Sequence, residues 1–368
     1  MEDHYFSPSF GNKPRVLVGR SEELRELEEG LSSVPGSKER ARLIIGQRGL
    51  GKTVLMLELV DYAKKNGYIV AAPTVAKKGM EQKILEKLVS DGADVLEPSK
   101  RRVTGGNFGV LGFSIGIETE KNAAESVSFQ TKLSAICDEA AKHKKGIVIM
   151  LDEVQNNEYT EEVAVAYQEL VGAGKNIAMI MAGLPATISG VLNNHVLTFL
   201  TRASKLNLGP ISYAEIDAYY YKCFREMGIS LNENQIWDAA LQTEGSPYLM
   251  QLIGHYITVL ADQNGSIDDA LYNRAVLTAK KEYMNDLCQV ALTGISDGDM
   301  AFLRAMTEDS GTSRIQRIAE RMGVSPAYAQ AYKKRMMEAG LIEQVSRGEV
   351  RFAVPMLRDY LVSKTAEL

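Results

Sequence analysis

The 368-residue chain has only 3 cysteines, 4 histidines and 1 tryptophan, and each scarcity excludes a class of protein. Cys137, Cys223 and Cys288 are far apart, odd in number and never in a C-x-x-C pair. Neither a disulfide scaffold, a zinc site nor a redox motif is expected; the reading is three thiols in a reducing, cytoplasmic setting. His4, His143, His195 and His255 are equally scattered, which argues against a histidine-ligated metal. The longest apolar stretches, around Ile147–Leu151 and Ile177–Leu184, are strand-sized, far short of the roughly 18 residues of a membrane span. Met1–Phe10 is polar, without a basic start leading into an apolar core, so no secretory leader is expected. Charge of one sign is lacking too. The net charge of −5, taken alone, speaks against a dedicated nucleic-acid binder.

What is present is the composition of a soluble globular protein, 45% hydrophobic and 24% charged, in a length that suits two to three domains. Through roughly the first 210 residues, short apolar runs alternate with helical spacing. Arg42–Ile45, Tyr68–Val75, Gly146–Leu151, Asn176–Gly183 and Lys205–Leu208 read as strands, and Gly51–Lys65, Gly79–Val95, Ala123–Lys145 and Thr160–Ala173 as helices. That alternation predicts an α/β domain over 1–210, with a parallel sheet covered on both faces. A glycine-rich insert at about 98–121 breaks the rhythm; it is either a hairpin or loop without chemistry, or an interaction surface. After Pro210 the strands stop. A capping box at Ser212–Glu215 opens a run of helical patterns that makes 211–294 a small helical domain. Over 295–368 three short helices precede two strands joined at Ser346–Gly348, the order of a winged helix.

Gly46-Gln47-Arg48-Gly49-Leu50-Gly51-Lys52-Thr53 fits G-x-x-x-x-G-K-[ST], between an apolar strand and a helix. In such a loop the backbone N–H groups turn inward to cradle phosphates. Lys52 reaches the β- and γ-phosphates, Thr53 ligates Mg²⁺, and the following helix, with Val54 in its first turn, adds its positive end. The second half of the site is the apolar strand Ile147–Leu151 ending in Asp152-Glu153. Asp152 is placed to hold the Mg²⁺ shell, and Glu153 to polarise the water that attacks the γ-phosphate. ATP and Mg²⁺ are therefore the expected cofactors, with Lys52 and Glu153 the leading catalytic residues.

Together these residues resemble the AAA+ superfamily of P-loop ATPases, in the branch of origin-recognition-type initiators and STAND-like ATPases. Leu17-Val-Gly19-Arg20-Ser-Glu-Glu-Leu is similar to that family's N-terminal "GRxxEL" box, which implies that Gly19 and Arg20 lie beside the adenine; Ser21 is also a helix N-cap signal. Thr201-Arg202, just before the last strand, stands where the family has its arginine finger, which implies Arg202 reaching a neighbouring subunit's γ-phosphate and hence self-association; the alternative is a solvated surface arginine. Gly245-Ser-Pro247 resembles the G-x-P turn that brings the helical lid to the nucleotide. The chain departs from the family at two places. Tyr248 and Leu249 replace the sensor-2 arginine, and Ala182-Gly183 offers no polar sensor 1. Slow, switch-like hydrolysis is the expectation, and a fold that has lost hydrolysis is the extreme form of it.

The C-terminal module corrects the first impression from net charge. Arg314–Arg335 holds six basic residues and one acid, Glu320. Ser325 is a helix N-cap with Pro326 at the first helical position, and the helix it opens would offer Tyr328, Gln330, Ala331, Lys333 and Lys334 to a major groove. Arg347, at the ribbon tip, would reach a phosphate or a minor groove. The expected partners are thus ATP or ADP, double-stranded DNA and a second copy of the chain, with no membrane. The leading function is a nucleotide-driven AAA+ switch that binds DNA or a partner through the winged helix. The alternative is a STAND-like signalling or defence regulator whose winged helix contacts protein and gates the ATP site.

Overall fold

The computed structural model describes residues 5–8, 13–96, 108–110, 113–115, 128–261 and 264–366. The chain divides into two compact units: residues 22–45 with 52–207, and residues 1–21 with 46–51 and 208–368.

The first unit contains α1 (Ser21–Ser32), β1 (Ala41–Ile45), α2 (Lys52–Lys65), β2 (Tyr68–Val75), α3 (Met80–Asp91), α4 (Ala93–Leu96), β3 (Phe108–Val110), β4 (Phe113–Ile115), α5 (Phe129–Lys142), β5 (Gly146–Asp152), α6 (Glu158–Gly172), β6 (Ile177–Gly183), α7 (Pro185–Leu192) and β7 (Ser204–Asn207). Its sheet has the order β2-β5-β6-β1-β7, with every pairing parallel. All seven residues of β5 and of β6 are buried, as expected for central strands covered on both faces. Ile147, Ile149 and Leu151 pack in one core with Ile84 and Leu88 of α3, Leu133 of α5 and Val163 of α6. Register aligns the strand ends that matter here: Ile45 pairs with Gly183, and Leu151 with Met181. The C-terminal ends of β1, β5 and β6 thus lie side by side, where parallel α/β sheets place their ligands.

Two local departures from the sequence expectation have simple causes. The helix expected over Gly79–Val95 is two, because Gly92 ends α3; a Cβ there would come within 2.8 Å of the Ile69 side chain. Pro185 at the first position of α7 starts a helix that periodicity alone did not resolve. The described parts of the glycine-rich insert are β3 and β4, paired antiparallel; the rest of 98–121, and residues 123–127 of the helix expected over Ala123–Lys145, lie outside the described residues.

The second unit contains α8 (Tyr213–Glu226), α9 (Glu233–Gln242), α10 (Pro247–Leu260), α11 (Asp269–Tyr283), a π-helical turn (Met284–Gln289), α12 (Asp297–Met306), β8 (Ser313–Arg314), α13 (Ile315–Met322), α14 (Pro326–Glu338), β9 (Ile342–Ser346), β10 (Glu349–Phe352) and α15 (Leu357–Ala366). Side-chain caps start most of these helices: Ser212 accepts from Glu215 N–H, Asn232 forms a capping box with Gln235, and Ser325 accepts from Tyr328 N–H. The order α12-β8-α13-α14-β9-β10, with an antiparallel sheet β8-β10-β9, occupies the C-terminal stretch. The helical segment and this module, expected as separate domains, share one hydrophobic core from Ile216 and Tyr220 to Phe302, Ile318 and Leu357. Phe6 belongs to that core as well, its ring 5.6 Å from Phe224 and 5.8 Å from Tyr219, although the sequence pattern assigned residues 1–210 to the α/β domain. An aromatic side chain so early in the chain finds its burial among the helices. Among the described residues no helix is long and apolar enough to cross a membrane.

Candidate functional site

In the first unit, β5 ends at Asp152, 6% exposed, and α2 opens with Lys52 and Thr53. The Thr53 hydroxyl donates to Asp152 Oδ2 at 2.5 Å, a short charge-assisted bond. Residues 99 apart in sequence are thereby brought to one point, as the two motifs require. Asp152 Oδ1 accepts from the Glu153 N–H at 2.9 Å, which fixes the second oxygen. Glu153 is exposed and adopts φ +52, a left-handed conformation that strains a non-glycine residue and recurs at functional sites. Immediately beyond it, Val154 N–H donates to Ala182 O at 2.9 Å, tying this turn to β6. A hydroxyl and a carboxylate in contact at the C-terminal edge of the sheet are an oxygen donor pair suited to a hard divalent cation.

Gly46–Gly51 belongs to the second unit. Gly49 and Gly51 take φ +78 and +83, which explains glycine at both. Several residues brace this loop. Arg20, 4% exposed, donates from Nη2 to Leu50 O at 3.3 Å and to Gly209 O. One guanidinium therefore holds the loop's backbone and the stretch that leads into α8. Gly19 leaves no room for a side chain, since a Cβ would lie 2.5 Å from Ile211 Cγ2. Pro247 packs 3.8 Å from the position a Cβ of Gly51 would take, and Ile211 N–H donates to Gly245 O at 2.9 Å. Tyr283 and Leu287 face Gly49, each 3.7 Å from the corresponding Cβ position. From the C-terminal module, Glu343 Oε2 accepts from Gln47 Nε2 at 3.3 Å, and Ala339 O accepts from Arg48 Nε at 3.4 Å. Glu343 is also paired with Arg351, at 2.5 Å.

Several expected residues are gathered in the second unit around its stretch of the phosphate loop: Gly19, Arg20, Gly46–Gly51 and Pro247. Arg20 is there, with its Nη2 on two backbone carbonyls. Arg202 is exposed at the end of a 3-10 turn, Thr198–Arg202, just ahead of β7. The contacts of Tyr283 and Glu343 with the loop went unread, because residues separated by more than 200 positions leave no local pattern.

On α14, Tyr328 is 58% exposed, and Gln330 and Lys334 are exposed with it; Arg347 is exposed at the β9–β10 turn. Lys333 donates to Gln344 Oε1 at 2.7 Å. The basic cluster is more neutral than its composition suggests. Arg335 pairs with Asp299 at 2.7 Å, Arg321 with Asp309 at 2.6 Å and Glu308 at 3.0 Å, and Arg314 with Glu349 at 3.2 Å. Arg321 holds the Asp309 carboxyl down at about 2. Cys137, Cys223 and Cys288 are buried free thiols, and burial pushes the Cys137 and Cys288 thiols up to about 12, so neither is reactive near neutrality.

Comparison with known proteins bears on the fold. Residues 16–174 match the AAA ATPase domain family. That stretch holds both Gly46–Thr53 and Asp152-Glu153. Residues 285–361 match a domain of unknown function, DUF8462, which spans the π-helical turn and most of the C-terminal module. No curated protein matches the chain. Among solved structures, a Walker-type ATPase of Pyrococcus abyssi is 18% identical, with 96% of this chain and 99% of that one covered at a TM-score of 0.66. The ORC2 protein of Aeropyrum pernix, solved in ADPNP–ADP complexes, is 15% identical, with 98% of each chain covered at 0.59; its ADP form is 16% identical at 0.56. At such identities the likeness is one of fold, and it extends over nearly the whole chain.

Proposed function

We propose that the chain is an ATP-binding, magnesium-dependent ATPase that works as a nucleotide-driven switch. The observation that carries this is the Thr53–Asp152 hydrogen bond at the C-terminal edge of a parallel sheet, in register with the end of β6. Gly46–Thr53 with Val54 binds the phosphates, and Lys52 neutralises them. Thr53 and Asp152 would hold Mg²⁺, which supplies charge neutralisation at the transferred phosphoryl group. Glu153 is the residue that takes the proton of the attacking water. Turnover is slow, because Tyr248, Leu249, Ala182 and Gly183 occupy the places of the two sensors. Arg202, exposed ahead of β7, serves a neighbouring copy in trans. The ADPNP–ADP complexes of the A. pernix ORC2 protein support the nucleotide reading. Lys52→Ala should abolish binding of a fluorescent ATP analogue, whereas Glu153→Gln should bind it and not hydrolyse. Wild-type ATPase rates in both variants would sink the assignment.

The C-terminal module is a winged helix in this reading, with α14 as the recognition helix. Tyr328, Gln330 and Lys334 would face the major groove, and Arg347 a phosphate, with Lys333 at the edge. Only a few cations are free for phosphates once the local ion pairs are counted, so affinity for random duplex DNA should fall with a shallow salt slope. No binding at low salt would instead favour the second reading, a STAND-like regulator whose winged helix gates the ATP site. A specific observation favours that alternative: Glu343 on Gln47 and Ala339 O on Arg48 place the C-terminal module directly against the phosphate loop. Three buried free thiols suit a reducing, cytoplasmic compartment.

A further inference from the structure

Tyr283 ends α11, is fully buried, and its hydroxyl makes no hydrogen bond. A buried hydroxyl left unpaired costs free energy, and native structures keep few of them. Burial pushes the phenol up from its ordinary value, so the group is a neutral donor. The neighbouring Ser246 hydroxyl is out of hydrogen-bond geometry with it and instead accepts from Leu249 N–H. The hydroxyl points at the phosphate loop, 3.7 Å from the position a Cβ of Gly49 would take. Directly after Tyr283 the helix widens into the π-helical turn Met284–Gln289, whose Leu287 touches the same point of the loop and whose Asp286 accepts from Tyr248. Such turns are rare and concentrate at functional sites.

A phosphate loop that turns its N–H groups inward to an anion turns carbonyls outward. One outward carbonyl, Leu50 O, already has Arg20 as its donor. We propose that Tyr283 is a positioning residue of this loop: when nucleotide fills it, a carbonyl of the Arg48–Gly49 stretch swings outward and takes the Tyr283 hydroxyl as its donor. The helical segment then reads occupancy of the loop through a phenol, in a chain that lacks the sensor-2 arginine. The inference rests on the nucleotide-binding function proposed above.

Tyr283→Phe in the full chain tests it, since only the hydroxyl is lost. Without nucleotide, the melting temperature should stay level or rise, because an unpaired hydroxyl has been removed. Affinity for a fluorescent ATP analogue should fall about ten-fold, the equivalent of one hydrogen bond, with the turnover rate at saturation changed far less. Unchanged affinity overturns the proposal while leaving the ATPase assignment standing. A melting temperature that drops without nucleotide overturns it too, since the hydroxyl would then be bonded in the empty protein. A wild-type chain that binds no analogue overturns both, and Lys52→Ala alongside separates that failure from the first.

Discussion

The two units use their polar side chains in opposite ways. In the α/β unit the polar groups at the sheet's C-terminal edge are short, few and aimed at one another: Thr53 on Asp152, and Asp152 on the Glu153 backbone. In the function proposed above they would exchange those bonds for a cation and its waters. In the other unit, which carries Gly46–Gly51, polar groups are committed to holding backbone in place. Arg20 on Leu50 O and Gly209 O, and Gln47 and Arg48 on the C-terminal module, are bonds of support. The difference predicts that turnover and support of the loop are separable in this chain. Substitutions in the first set should change turnover with little effect on stability, and substitutions in the second should do the reverse.

The largest expected effect sharpens this directly. Asp152→Ala should abolish magnesium-dependent ATP turnover while shifting the melting temperature by no more than a few degrees, measured by phosphate release and by thermal melts. A variant that loses its fold would mean that Asp152 is a structural carboxylate and that the contrast is false. Next in size is Arg20→Ala. It removes a buried guanidinium from two carbonyls and should cost about 3 kcal/mol of stability, read by chemical denaturation. Arg20→Lys should recover only part, because an ammonium lacks the planar fork. An Arg20→Ala protein that keeps full stability but fails to discriminate adenine from guanine nucleotides would support instead the adenine-side role implied by the "GRxxEL" resemblance.

The same contrast explains what could be read in the sequence. The meeting of Thr53 with Asp152 was legible because both motifs are local patterns: eight consecutive residues, and an acidic pair at the end of an apolar strand. Sheet class followed from alternation of strands and helices. The support contacts were not legible. Gln47 and Glu343 lie 296 residues apart, Arg20 and Gly209 lie 189 apart, and neither pair has a pattern within a window of one element. Phe6 joins the helical core for the same reason: burial of one aromatic ring depends on where the chain end lies, not on its neighbours in sequence. The basic run on α13 and α14 was visible as composition, but its neutralisation by Asp299, Asp309 and Glu349 belongs to tertiary structure.

That neutralisation yields a prediction of intermediate size. The Asp309 carboxyl, held at about 2 against an ordinary 3.8 by the guanidinium of Arg321, is a group whose folded value is depressed. Its stabilising contribution is therefore complete above about pH 4 and lost as pH falls towards 2. Asp309→Asn should lose about 1 to 2 kcal/mol at pH 7, discounted for partial exposure of the pair. The gap between variant and wild type should close progressively between pH 4 and pH 2 in thermal melts. A gap that is constant across that range would show that the pair contributes through packing and not through charge.

The smallest expected effect is the most informative about control. Glu343→Gln keeps the shape of the contact with Gln47 but removes a carboxylate from beside the phosphate loop, where an incoming triphosphate brings several negative charges. Affinity for a fluorescent ATP analogue should rise about three-fold at low ionic strength and less at high salt, since the effect is one of partly screened charge. Gln47→Ala breaks the contact and leaves the charge. If Gln47→Ala raises affinity as much as Glu343→Gln does, and the gain is insensitive to salt, the C-terminal module acts on the loop by occupying it. If only Glu343→Gln does so, it acts by electrostatic repulsion. Either result places the module's grip on the loop within reach of nucleotide binding; no change in either variant would separate the two and leave the module's role to its exposed α14 face.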